Sequence, residues 1–262
     1  MAGYTHQCIL TSMGPALLLA GWGQAASFWD RFLPHINGTT STTVDNRETG
    51  TAGPCPGGFT IDDMAADALE VMDRLGHHRF TVVGHSMGGM IAQALGFAAP
   101  ERVDGLVLVS TRLGQSRVID PDPEVLAPPQ GLDLPEDPEH AAIAIRAVFY
   151  QRYIAPGSTP PREQLAREEA ARAQGAAAGL EGLMRQWQAL TTWEPPAALK
   201  ELELTVAVVH GDADTLVPHG NGEIVADYAG VPLQTLPGVG HMVPWEAPAD
   251  LAAVIAETRV RG

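Results

Sequence analysis

Residues 80–89 read Phe80-Thr81-Val82-Val83-Gly84-His85-Ser86-Met87-Gly88-Gly89. The first four form a short run without polar alternation, the pattern of a strand covered on both faces in a parallel sheet. From Met87 the pattern turns helical and ends at Ala99, before Pro100. Between the two lies Gly-x-Ser-x-Gly. A sharp strand-to-helix turn holds its central residue in a strained backbone and tolerates only small neighbours. Gly84 and Gly88 remove the clash there, and Gly89 lets the helix start close to the sheet. The helix also aims its first amides at any anion forming beside Ser86. In a chain with 28 glycines the five-residue pattern is weak on its own; the strand before it and the helix after it carry the weight.

Runs of the same kind recur at 16–20 (ALLLA), 106–109 (LVLV) and 204–209 (LTVAVV). Helical patterns lie between them. Thr60 with Asp63 makes a capping-box start, Met64, Ala68, Val71, Met72 and Leu75 follow at helical spacing, and Gly76 stops the run. Pro248 suits a first helical position, with Leu251, Val254 and Ile255 on one face beyond it. Strands alternating with helices predict an α/β fold, a mostly parallel central sheet flanked by helices. Residues 111–196 break the alternation. They hold 11 of the 21 prolines and no strand-like run. Helical patterns near 139–153, 162–175 and 179–189 sit between proline-rich loops, with Phe149, Tyr150, Tyr153, Leu183 and Trp187 available for packing. This predicts a helical cap at 112–196 on a core formed by 1–111 and 197–262.

With 262 residues the chain is one large domain or a domain plus an insertion. Sixteen basic against 31 acidic residues give a net charge of −15. Such a surface repels phosphate backbones and anionic lipid, so neither nucleic acid nor membrane is an expected partner. A small-molecule substrate is, with the chain a monomer or homodimer. Cys8 and Cys55 are too few for a disulfide framework, and no Cys-x-x-Cys occurs. No apolar run approaches the roughly 20 residues of a membrane span. The first arginine is Arg31, so a basic leader segment is not expected and a cytoplasmic location is.

A serine hydroxyl is a poor nucleophile until a base takes its proton. Of nine histidines, His77 and His78 sit in a surface turn and His85 is on the elbow itself. His241 lies in Gly238-Val239-Gly240-His241-Met242-Val243-Pro244, a loop after a late strand, where α/β proteins place reactive groups. A carboxylate is needed to hold such a base in one tautomer. The segment Val208-Val209-His210-Gly211-Asp212-Ala213-Asp214-Thr215-Leu216-Val217-Pro218 offers Asp212 and Asp214, either of which also suits a turn. Trp22, Trp29, Phe149, Tyr150, Trp187 and Trp193 are candidates to line a pocket, Trp22 and Trp187 foremost as substrate contacts. No Gly-x-Gly-x-x-Gly follows a strand, and neither a Walker loop nor metal-ligand spacing occurs. A reaction without cofactor or metal is the simplest expectation.

These motifs, in this order, resemble the α/β-hydrolase superfamily over nearly the whole chain. Ile61-Asp62-Asp63-Met64-Ala65-Ala66-Asp67-Ala68 and Ala99-Pro100-Glu101-Arg102-Val103 are similar to its esterases and lactonases. Asp45-Asn46-Arg47-Glu48-Thr49-Gly50 resembles the Asp-x-Arg-x-x-Gly loop of aclacinomycin-methylesterase-like members. The resemblance implies Ser86 as nucleophile, His241 as general base and Asp214 as its orienter, since the family's acid is the fourth residue of Gly-x-x-Asp. It further implies an oxyanion hole from the backbone amides of Met87 and Trp22. Ala20 stands where the family usually has His, removing a hydrogen bond that can order this loop. Glu48 stands where many relatives have glycine. The implied activity is hydrolysis of a small-molecule carboxylic ester through an acyl-enzyme. The same residues also serve lactonases, elimination or acyl-transfer steps and cofactor-free peroxidase-type reactions, and the fold has non-catalytic binders.

Overall fold

A computed structural model of the protein describes residues 14–261, apart from 37, 56, 128–135, 137, 160–161, 164 and 167–179. Six strands form one sheet: β1 (Ala16–Leu19), β2 (Ser41–Val44), β3 (Phe80–His85), β4 (Val103–Val109), β5 (Val206–Gly211) and β6 (Leu233–Leu236). Their order is β2-β1-β3-β4-β5-β6 and every pairing is parallel. The helices are α1 (Ile61–Arg74), α2 (Met87–Ala98), α3 (Pro123–Leu126), α4 (Pro138–Tyr153), α5 (Leu180–Thr192), α6 (Gly220–Ala229), α7 (Val243–Glu246) and α8 (Pro248–Arg261).

Alternate strand residues feed two cores. Leu17, Leu19, Val82, Leu106, Leu108 and Val208 pack with α1, α2 and α6 on one face. Leu18, Val83, Val107, Val109 and Val209 pack on the other with Phe28, Trp29, Phe32 and the α8 residues Leu251, Val254 and Ile255. Both faces being covered explains why the inner strands carry apolar runs without polar alternation. The edge strands β2 (STTV) and β6 (LQTL) do not read as apolar runs, because at the sheet margins all but Val44 remain at least partly exposed. The capping box forms as expected: the Thr60 side chain accepts from the Asp63 amide, and Asp63 accepts from the Thr60 amide. The buried face of α1 is Ile61, Met64, Ala65, Ala68 and Met72. Leu75, expected on that face, is exposed, because the helix ends one residue earlier and Leu75 is its C-cap.

Between β4 and β5 the chain forms α3, α4 and α5. The helix expected over 162–175 lies for the most part outside the described residues, as does Cys8; Cys55 is a free thiol. From β1 the chain adds β2 on one side and then β3 on the other. The C-terminal ends of β1 and β3 therefore flank a topological switch point, where open α/β sheets bind ligands. Among the described residues no helix is long and apolar enough to cross a membrane.

Candidate active site

Ser86 occupies the junction of β3 and α2 with φ 55° and ψ −122°, a region that side-chain-bearing residues rarely adopt. Its neighbours hold it there. The Ser86 amide donates to the Val109 carbonyl at 2.9 Å, and its carbonyl accepts from the Gly89 amide (2.9 Å) and the Thr111 hydroxyl (2.7 Å). A Cβ on Gly84 would lie 2.2 Å from the Gly88 oxygen, and one on Gly88 would lie 2.1 Å from the Leu19 oxygen. Gly89 makes room for Thr111, whose side chain a Cβ would meet at 2.5 Å. The glycines thus press α2 against the end of β1 and admit the residue that fixes the Ser86 carbonyl.

The loops after β5 and β6 meet beside this elbow. A Cβ on Gly211 would lie 2.1 Å from the Val239 oxygen, and the Ala213 amide donates to that same carbonyl at 3.0 Å. His241 Nδ1 lies 2.8 Å from Asp214 Oδ2, both side chains buried. The carboxylate only accepts, so the proton sits on Nδ1 and leaves Nε2 of the neutral ring bare. Asp214 Oδ1 accepts from the Leu216 (3.0 Å) and Val217 (2.8 Å) amides. Buried His210 brings Nε2 within 3.1 Å of Asp214 Oδ2 and 2.8 Å of the Val217 carbonyl. Burial pushes the Asp214 carboxyl up, but the charge of His241 and the hydrogen bonds from His210 and His241 outweigh it and bring the pKa to about 2. Asp212 instead accepts from the Gly238 amide at 2.6 Å, bracing the two loops.

His241 is anchored from two sides. His85 Nε2 lies 2.9 Å from the His241 carbonyl. Burial, then the charge of His241, push His85 down to about 3, so it is neutral near pH 7. The His241 amide donates to the Tyr153 carbonyl, at the end of α4, at 2.6 Å. Glu246 gathers the Gly240, Met242 and Ala155 amides at 2.7–3.1 Å. Neither Tyr153 nor Glu246 is legible as a site residue in the sequence, since their partners join distant segments through backbone atoms.

The loop after β1 lies against the elbow: a Cβ on Gly21 would sit 3.1 Å from Ser86 Cβ. The Gly21 amide donates to Gln24 Oε1 (2.9 Å) and the Gly23 amide to Gln186 Oε1 (2.8 Å). Between them the Trp22 amide has no acceptor among the described residues. The Asp45–Gly50 stretch braces the loop. Asp45 accepts from the Ala26 and Thr51 amides, Asn46 donates to the Ala20 carbonyl at 3.0 Å, and Arg47 pairs with Asp67. Glu48 is buried at φ 72°, and its Oε1 accepts from Arg185 Nε of α5 (2.7 Å) and the Cys55 amide (3.1 Å).

A cavity of about 510 Å³ opens over Ser86 and Met87. Trp22 and Trp187 line it, their rings edge to face at 5.4 Å, with Met90, Ile119 and Leu190; Arg112, Gln115, Asp120 and Tyr153 bring polar groups to it besides Ser86 and two threonines. Burial and then Tyr150 push the Tyr153 hydroxyl up to about 12, so it stays protonated. Trp29, Phe149, Tyr150 and Trp193 do not line it. Trp29 is wholly buried beside Phe28 and Phe32. Tyr150 packs on Trp245, Phe149 lies under the Arg152 guanidinium, and Trp193 belongs to the core around α1 and α2. The arrangement places a strained hydroxyl at a cavity floor, a ring with one bare nitrogen packed on the adjacent His85, and an unengaged amide on the flanking loop. Those are the parts needed to attack a carbonyl carbon and hold the resulting charge.

The profile of the alpha/beta hydrolase family matches residues 16–254, and the chain belongs to this family. It is 30% identical over 214 residues to a carbamate hydrolase candidate, RutD, of Agrobacterium fabrum, covering 78% of this chain and 76% of that protein. It is 35% identical over 125 residues to rhodomycin D methylesterase DnrP of Streptomyces peucetius, covering 45% of this chain and 40% of that protein. The match to the RutD candidate of Caulobacter segnis likewise spans 40% of that protein. Est816, a solved structure described as an N-acyl homoserine lactone degrading enzyme, superposes with a TM-score of 0.72 at 23% identity. It covers 93% of this chain and 92% of its own, a likeness of fold.

Proposed function

We propose that the protein hydrolyses a carboxylic ester of a small, largely apolar molecule, with Ser86 as nucleophile, His241 as base and Asp214 as the carboxylate that orients it. The observation that carries this reading is the 2.8 Å contact between His241 Nδ1 and Asp214 beside a serine held at φ 55° under an open cavity. His241 Nε2 takes the proton as Ser86 Oγ bonds to the substrate carbonyl carbon. The carbonyl π electrons move to oxygen, and the Met87 and Trp22 amides receive that charge. The carbon–oxygen single bond then breaks, the leaving alkoxide takes the proton from Nε2, and an acyl-Ser86 remains. Water, deprotonated by the same nitrogen, attacks the acyl group, and the acid departs as Ser86 regains its proton. A lactone, an internal ester, passes through the same steps.

Residues 112–196 act as a cap in this reading, with Trp187 and Tyr153 closing the cavity over Ser86. The cavity volume of about 510 Å³ favours an ester with appreciable bulk. It lies within the roughly 300–1,000 Å³ range of small-molecule sites, and a bare carbamate would leave most of it empty. The test is hydrolysis of a nitrophenyl ester series by the natural protein and by Ser86→Ala. Loss of turnover by about 10⁶ is expected where the three groups act as a unit. Near-normal turnover in the variant would end the reading.

A further inference from the structure

We propose that Gln186, on α5 of the inserted segment, is a positioning residue for the oxyanion hole, setting the Trp22 amide through the peptide that follows it. The proposal rests on the ester-hydrolase reading and deepens it. Gln186 is fully buried and uses both ends of its amide. Its Oε1 accepts from the Gly23 amide at 2.8 Å, and its Nε2 donates to the Arg47 carbonyl at 2.6 Å. One side chain thus ties α5 to the loop after β1 and to the loop after β2.

The consequence falls on Trp22. Three contacts fix the chain around it: Asn46 holds the Ala20 carbonyl, Gln24 holds the Gly21 amide and Gln186 holds the Gly23 amide. The Gln24 amide turns back to the Gly21 carbonyl at 3.1 Å. Of the four amides from Gly21 to Gln24, that of Trp22 alone has no acceptor among the described residues. The loop has no slack toward Ser86, because Gly21 already abuts it. A second tie from the same helix runs from Trp22 Nε1 to the Leu183 carbonyl at 2.8 Å. Two of the holding groups, Asn46 and Gln24, belong to the core; Gln186 belongs to the insertion. Docking of α5 therefore completes the oxyanion hole as well as roofing the cavity. Charge held in the transition state is sensitive to such placement, since a shift of about 1 Å costs on the order of 10²-fold in rate.

The test compares Gln186→Leu and Gln186→Glu with the natural protein on one nitrophenyl ester. Leucine removes both hydrogen bonds; glutamate keeps an acceptor for the Gly23 amide. Gln186→Leu is expected to lower kcat by about 10–100-fold, within the range for a weakened oxyanion donor, with KM changed by less than about threefold. Gln186→Glu is expected to recover most of that loss, and the pH dependence of kcat is expected to keep its shape in both. Unchanged kcat with a lowered Tm, or a rise in KM alone, would overturn the proposal. Should Gln186→Leu fail to fold, Gln186→Met keeps the length and carries the same expectation. Hydrogen exchange separates the proposal from the hydrolase reading. The Gly21 and Gln24 amides, which Gln186 does not touch, are expected to exchange at least about tenfold faster in the variant, with β3 amides unchanged. Unaltered exchange at those two amides overturns the proposal even in a protein that shows no esterase activity, whereas absent esterase activity in the natural protein counts against the hydrolase reading alone.

Discussion

His85 and Asp214 both resist taking up protons in the fold, and both make the protein sensitive to acid. His85 titrates at about 3 in the fold against an ordinary 6.5. Between those values the unfolded chain binds a proton that the folded one refuses, so stability falls as pH drops through that window. The size is about 2–3 kcal/mol between pH 7 and 4.5. Urea unfolding at those two pH values reads it directly. His85→Gln, which keeps a donor for the His241 carbonyl, is expected to lose less stability over that interval than the natural protein. An equal loss in both would contradict the assignment. Asp214, at about 2 against 3.8, contributes stability that is present above about pH 4 and lost as pH falls toward 2. Asp214→Asn keeps the shape but offers His241 the wrong partner, and kcat is expected to fall by about 10³–10⁴, the scale of that change in serine hydrolases generally. A fall of less than tenfold would show that His210 or another group orients the base.

Among the elements, the β3–α2 junction tolerates least. A Cβ on Gly88 would strike the backbone of β1 at 2.1 Å, with no flexible side chain to yield. Gly88→Ala is expected to cost about 3 kcal/mol and lower Tm by roughly 6–12 °C, and to abolish any turnover of the nitrophenyl esters as α2 is forced from the sheet. Thr60→Ala provides the contrast. It breaks the capping box of α1, whose residues do not line the cavity, and is expected to cost about 1 kcal/mol with kcat unchanged. Melting curves and turnover on the same preparations separate the two outcomes. The same junction was readable in advance because everything it needs is local: a strand, three glycines and a helix within a few residues of Ser86. The central strands were readable because both their faces are buried, and the edge strands β2 and β6 were not because theirs are only partly covered. Gln186 and Glu246 left no mark in the sequence, and Tyr153 stood out only as an aromatic available for packing. Gln186 and Tyr153 work through contacts with backbone brought near only by the completed fold, Gly23 lying 163 positions before Gln186, and Glu246 joins the distant Ala155 amide to those of its neighbours Gly240 and Met242.

For the whole molecule, charge and topology set the terms. A net charge of −15 makes the compact state repel itself, and salt screens that repulsion. Tm is therefore expected to rise by a few degrees between about 10 and 300 mM sodium chloride; a flat or falling Tm in thermal melts would show that specific ion pairs outweigh the overall charge. Topology bears on the segment between β4 and β5. Those strands are neighbours, with Val109 opposite Val209. The pairing is parallel, so the segment leaves from the C-terminal end of β4 and crosses to the opposite end of the sheet, where Val206 begins β5 beside Leu106. A crossover that already spans the sheet takes up added length over the site at its start, at a small cost in loop entropy, without disturbing the strands on either side. Whatever that crossover lays over the cavity must meet the Gly23 amide with an acceptor, so in this reading the latitude above the site is bounded by a single hydrogen bond.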